Sequence, residues 1–316
     1  MSKKSSKKSS KDPLDDDNDD SSIEDYFDEQ LYEEEEHFPS LDKKYDQDNE
    51  SFDRRFRKKF RHKTEDKSTV EGVLDFTTSK EIYRLQMQGF IDKIDGVVST
   101  GKEANVYFAT SKDLEKTHNK SELAIKIFRT RTLDFKKIKF YIDGDIRFSK
   151  SGRKSHQIIQ TWALKEFKNL QRSFEQGIQV PRPVIVRRNV LIMEFIGSNG
   201  IPAPQLRQCK ALSNDELYSI YQQTVEQLKL LWTKANLVHG DLSPYNMLYT
   251  DKKVYIIDMG QAVLTNHNYA DAFLARDIEN ILYYFSQSGI DMHTTEELFE
   301  QITKRVPDME QLKLQI

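Results

Sequence analysis

Two short motifs in the second half of the chain constrain it most. They are His239-Gly240-Asp241-Leu242-Ser243-Pro244-Tyr245-Asn246 and, twelve residues after Asn246, Ile256-Ile257-Asp258-Met259-Gly260. An acid and an amide five residues apart can face one point from the two ends of a loop turn. An apolar strand ending in Asp-x-Gly delivers a second acid to the same point. Asp258 and the Asn246 amide oxygen suit a hard cation bound to phosphate oxygens, and Asp241 is placed to accept a proton from an attacking hydroxyl. The spacing predicts short strands over Leu237–Gly240 and Val254–Ile257.

Two segments of the first half extend the pattern. Ala124-Ile125-Lys126 ends an apolar strand on a cation suited to phosphate. On a helix predicted over His156–Gln176, Ile159, Trp162, Ala163, Glu166 and Leu170 share one face. A carboxylate within an apolar stripe needs a cation, and Lys126 is the natural partner of Glu166. The segment Ser99-Thr100-Gly101-Lys102-Glu103-Ala104-Asn105-Val106 is built of small residues around one glycine. It lets a backbone approach phosphate closely, one strand before Lys126.

Composition divides the chain. Residues 11–50 carry 18 Asp or Glu against 3 Lys or Arg, whereas residues 54–67 carry 8 basic against 2 acidic residues. Residues 1–70 therefore read as a disordered acidic and basic tail, too poor in apolar side chains to offset ordering entropy. Arg54–Lys63, with Phe56 and Phe60, suits a solvated charge run, a nucleic-acid contact or a nuclear targeting signal. The single cysteine, Cys209, can form no internal disulfide, which fits a reducing compartment. No apolar run approaches a membrane span, so no membrane partner is expected.

Further elements follow from local pattern. A helix is expected over Ser79–Gln88, a tight turn at Asp95-Gly96, and strands over Val106–Ala109, Leu123–Phe128 and, as a pair, Val184–Phe195. Residues 130–155 show no clear period and read as a long connection. Gly197–Pro204 is a break between two halves. Ser213 with Glu216 opens a long helix to about Asn236, and helices follow at about 271–286 and 294–303. The organisation expected is a tail over 1–70, a β-rich N-terminal lobe over 71–196 and a helical catalytic lobe over 197–316.

Together these segments resemble the RIO family of atypical protein kinases, over about residues 70–303. Ser99–Tyr107 is similar to the nucleotide loop of its Rio-one branch. So are Lys126 in its strand, Trp162-Ala163 with Lys165-Glu166, Met193-Glu194-Phe195-Ile196-Gly197 between the lobes, and the Asp241 and Asp258 motifs. Gly240 stands where many members have Ala, and Pro244 where many have Glu.

The resemblance implies an α+β, compact bilobal protein-kinase-like fold that lacks the activation loop and peptide-docking helices. In line with this, 58 residues follow Asp258 and none forms Ala-Pro-Glu. It implies use of ATP and Mg2+, with Ser99, Gly101, Lys102, Lys126, Glu166, Glu194 and Ile196 binding ATP. Asn246 and Asp258 would bind the metal, Asp241 would be the proton acceptor, and Asp258 would form a phosphoaspartate. It further implies a flexible insert at 130–155, a monomer, and a cytoplasmic protein with nuclear shuttling. The implied partner is the precursor small ribosomal subunit, protein and rRNA, in late maturation. Two other readings share the motifs: a small-molecule kinase of the aminoglycoside or choline type, and a pseudokinase-like assembly scaffold.

Overall fold

Regular structure begins with a capped helix in the computed structural model, which describes residues 75–130, 135–148, 152, 154–210, 212–287 and 289–313. The tail expected over 1–70, with its Arg54–Lys63 block, lies outside the described residues. In α1 (Phe76–Met87) the Asp75 side chain accepts a hydrogen bond from the Thr78 N–H at 2.8 Å, satisfying a first-turn donor. Five antiparallel strands follow: β1 (Lys93–Thr100), β2 (Ala104–Thr110), β3 (Glu122–Phe128), β4 (Pro183–Arg187) and β5 (Val190–Glu194). Their order across the sheet is β1-β2-β3-β5-β4.

Alternation along the central strands sets the two faces of this sheet. Leu123, Ile125 and Ile127 of β3, with Val190 and Ile192 of β5, pack on Ile82 and Leu85 of α1. Ala124 and Phe128 face the opposite side, where the second core includes Ile159, Trp162 and Ala163 of α3 (Ser155–Glu175). Lys126 shares that second face.

Two expectations for this half are corrected. Asp95-Gly96 makes no hairpin turn: β1 runs through it, and its pairing with β2 shifts register between Ile94 and Gly96. The dipeptide is a bulge, because seven residues of pairing partner outweigh a local turn preference. Residues 130–155 are not a featureless connection. They hold α2 (Phe135–Asp143) and a 3-10 turn at Ile146–Phe148, with Ile138, Tyr141, Ile142 and Phe148 buried in the core.

Gly197–Pro204 contains a two-residue ladder, β6 (Gly197–Ser198) with β7 (Ile201–Pro202). Beyond it, Ser213 caps α4 (Asn214–Leu230) in the expected reciprocal pairing with Glu216, and a π turn (Leu231–Ala235) ends on Asn236. β8 (Leu237–Val238) pairs with β11 (Val263–Leu264), and β9 (Met247–Thr250) with β10 (Lys253–Ile256). Three helices complete the half: α5 (Ala270–Ser286), α6 (Thr295–Thr303) and α7 (Met309–Lys313). β9, β11 and α7 were not foreseen.

Candidate active site

Four loops and one helix meet where β3 faces the second half of the chain. The β1–β2 turn is short: Thr100 pairs with Asn105, and the Gly101 N–H donates to the Ala104 carbonyl at 2.9 Å. A Cβ at Gly101 would sit 3.1 Å from that oxygen, a tight contact that glycine avoids. Ser99, Gly101 and Lys102 are exposed along it.

Lys126 Nζ donates to both oxygens of Glu166 at 2.7 Å and to Asp258 Oδ1 at 2.8 Å. The expected Lys126–Glu166 pair is therefore present, and Asp258 joins it. Burial alone would lower the Lys126 pKa, but Asp258 and Glu166 hold it above the ordinary lysine range. Burial raises Glu166 and Lys126 pulls it back. For Asp258 the Lys126 charge outweighs burial, and its pKa lies below the usual aspartate range. The Glu166 side chain is 1 % exposed and the Asp258 side chain 46 % exposed, so Glu166 backs Lys126 while Asp258 opens to the cleft.

Asp258 occupies left-handed backbone, φ 64°, an unusual state for a non-glycine residue. The 3-10 turn after it (Met259–Gln261) is held by α3. Asn169 Nδ2 donates to the carbonyls of Met259 and Ala262 at 2.9 Å. Lys165 Nζ donates to Gly260 at 3.2 Å and also to Ala262. Burial pushes the Lys165 ammonium down to about 7. A Cβ at Gly260 would meet Glu166 and Trp162 at 3.2 Å, which explains the glycine. One helix face, at spacings of three and four, thus carries both the partner of Lys126 and the clamp on the Asp258 turn.

The loop from His239 to Asn246 is fixed from α5. Asp277, fully buried, accepts from the Gly240 and Leu242 N–H groups at 2.8 Å each. Arg276 donates to the Gly240 carbonyl and Asn280 to the Leu242 carbonyl. His239 Nδ1 accepts from the Asp241 N–H, so its proton lies on Nε2, which donates to the Ile257 carbonyl at 3.0 Å. Gln261 donates to Asp241 Oδ2 at 2.9 Å. The Asn246 amide N–H donates to the Asp241 carbonyl at 2.9 Å, which turns its amide oxygen the other way. Burial raises the Asp241 pKa, and the Asp258 charge adds to the rise.

The structure thus brings Lys126, Glu166, Asp241, Asn246 and Asp258 to one cleft, with Ser99–Lys102 on its rim. Glu194 and Ile196 end the sheet at the junction between the halves. The Glu194 carboxylate is taken by Lys120 and the Arg182 N–H, and the Ile196 carbonyl accepts from Ala203. Any contact of Glu194 with a ligand therefore falls to its backbone. Sequence reasoning named Lys165 within the resemblance but gave it no role, and it missed Asn169, Gln261 and Asp277. Asp277 sits among Phe273, Leu274, Ile278 and Ile281 on α5, the same acid-within-apolar-stripe signal that picked out Glu166. Glu103 was also missed; its pKa is raised by burial and then by the nearby Asp258 charge.

A family model for the RIO domain matches residues 105–298. The serine/threonine-protein kinase RIO1 of Caenorhabditis elegans is 40% identical over 239 residues, 75% of this chain and 46% of that protein. The human protein of the same name is 39% identical over 240 residues, 75% of this chain and 41% of its own length. This chain thus spans less than half the length of those relatives. It spans 81% of the RIO-type serine/threonine-protein kinase Rio1 of Haloferax volcanii, at 37% identity over 246 residues. Among solved structures, the Rio2 kinase–ADP/Mg2+–phosphoaspartate complex from Chaetomium thermophilum superposes with a TM-score of 0.53 at 19% identity, over 72% of this chain and 66% of that one. That likeness confirms the α+β, bilobal kinase-like fold. With a family model matched over more than half of its residues and an archaeal relative matched over most of that protein's length, the chain belongs to the RIO domain family.

Proposed function

We propose that this protein is a Mg-ATP-dependent serine/threonine protein kinase that also turns over ATP through an aspartyl phosphate. One observation carries the reading. The Lys126 ammonium bonds Glu166 and Asp258 at once, at 2.7 and 2.8 Å, beside a loop that carries Asp241 and Asn246. A cation held by one buried acid and one cleft-facing acid is poised to meet phosphate oxygens.

The residues fit Mg2+. Asp258 is kept ionised by Lys126, and the Asn246 amide oxygen is left outward by its N–H bond to Asp241. Both are hard oxygen donors of the kind this ion prefers. When bound, the metal would neutralise phosphate charge in the cleft. Lys126 and the backbone around Ser99, Gly101 and Lys102 would bind the phosphates, and backbone groups of Glu194 and Ile196 the adenine. Asp241 would take the acceptor hydroxyl's proton on Oδ1, since Gln261 holds Oδ2. Its raised pKa makes it a stronger base than an ordinary aspartate.

For ATP turnover, the Asp258 carboxylate attacks the γ-phosphorus, the bond to the β–γ bridging oxygen breaks, and ADP leaves. Water then cleaves the acyl phosphate, releasing inorganic phosphate and restoring the carboxylate. The half-exposed carboxylate supports this, as does the phosphoaspartate in the Chaetomium thermophilum Rio2 complex. The family resemblance further suggests a monomer in the cytoplasm, with nuclear shuttling, acting on the precursor small ribosomal subunit.

Acyl phosphates are labile to hydroxylamine and phosphoserine is not. Protein labelled from ATP and Mg2+ is expected to lose label on hydroxylamine treatment, and Asp258→Asn to acquire no labile label. Label that is wholly resistant and maps to Ser or Thr would leave a plain kinase.

A further inference from the structure

Beside the catalytic loop lies a groove of about 600 Å³ that the nucleotide chemistry does not use. Its floor is Ser243, Pro244 and Tyr245, the residues between Leu242 and Asn246, and Leu212, Leu217 and Tyr284 wall it. Two lining residues are tied to the loop, and Tyr284 to the turn before Arg207. The Arg207 N–H donates to the Pro244 carbonyl at 3.3 Å, Asn280 donates to Leu242, and the Tyr284 hydroxyl donates to the Leu206 carbonyl at 3.1 Å. At the mouth, the Arg207 guanidinium lies 4.3 Å from the centre of the Tyr245 ring. Tyr245 is 56 % and Tyr283 75 % exposed, and none of the eleven lining residues is Asp or Glu.

We propose that this groove docks the polypeptide acceptor of the phosphoryl group. It takes an aromatic or long aliphatic side chain near the acceptor hydroxyl, with acidic residues beside it. The inference rests on the kinase reading of Asp241. Whatever lies on Ser243–Tyr245 is a few residues from that carboxylate, and the short segment between Asp258 and α5, which starts at Ala270, leaves little room for a separate peptide platform. Walls of two leucines and a tyrosine over a Pro-Tyr floor select an apolar anchor. Arg207, with no carboxylate among the lining residues, selects acidic flanks and gives a basic peptide no partner. A stacking site for single-stranded nucleic acid would need a basic track for the backbone. Among the described residues that line this groove, Arg207 is the one cation.

Cys209, the chain's single cysteine, lines the groove and reports on occupancy without engineering. The probe is a short synthetic peptide with a serine, a Tyr-Phe pair and flanking aspartates. Two controls replace the aspartates by lysines or the aromatic pair by alanines. The acidic aromatic peptide is expected to slow Cys209 alkylation, without nucleotide present, and to bind about tenfold more tightly than either control. Tyr283→Ala is expected to weaken it by about the same factor, mainly through KM. Arg207→Glu is expected to reverse the preference toward the lysine peptide. Melting temperature and ADP binding report that the variants remain folded. Equal binding of all three peptides, no protection of Cys209, or preference for an oligouridine would overturn the proposal. Failure of the wild type to bind ADP with Mg2+ would instead strike at the nucleotide reading, since Cys209 protection is measured without it.

Discussion

Lys126 is one cation between two acids, and each contact contributes differently. Glu166 is buried and cannot recover water if its partner goes, whereas Asp258 can. Lys126→Ala should therefore destabilise the fold by about 3–5 kcal/mol, chiefly by stranding Glu166. Adding Glu166→Gln should recover much of that loss. Denaturant unfolding of the two single variants and the double variant measures the coupling, and strictly additive effects would show that the two side chains act independently. The Lys126–Glu166 pair was legible because an acid inside an apolar helical stripe demands a cation. The bond to Asp258 was not, since it joins residues 132 positions apart. The roles of Lys165 and Asn169 stayed hidden for a similar reason. Both side chains bond to main-chain carbonyls, and no side-chain pattern announces a carbonyl.

At the scale of elements, α3 is the spine of the site, and α2 with its following turn is fastened to it. Arg147 bonds Asp145 at 2.9 and 2.6 Å and also the Asn169 amide oxygen at 2.8 Å. Burial opposes ionisation of Asp145, yet Arg147 prevails and keeps its pKa below the usual value. The contribution to stability is thus complete at neutral pH and is lost as pH falls below about 4. Asp145→Asn is expected to cost about 3 kcal/mol at pH 7, with the gap to wild type closing in acid. A gap that stays constant down to pH 3 would contradict this. Ile138, Tyr141 and Ile142 do keep helical spacing, but α2 is nine residues long and rich in lysine, so its pattern drowned in the surrounding charge. Asp95-Gly96 shows the opposite error. A strong local turn signal yielded to strand pairing that sequence alone does not display.

For the whole molecule, one cleft serves both proposed activities, and the groove beside the catalytic loop gives it a polypeptide side. If the protein serves assembly of the small ribosomal subunit, ATP turnover should rise several-fold on adding its precursor particles and not on adding mature ones. Equal turnover with either would remove the support for that partner. The central claim is that Asp241 is the base of a phosphoryl transfer. Asp241→Asn keeps the shape and the loop's backbone bonds, so it isolates the carboxylate. Phosphorylation of a serine peptide, followed in a single turnover alongside ATP affinity, is the direct measurement. Near-wild-type ATP binding with transfer reduced by about 10²–10⁴ is expected. Transfer at the wild-type rate in a variant that binds ATP normally would contradict the account.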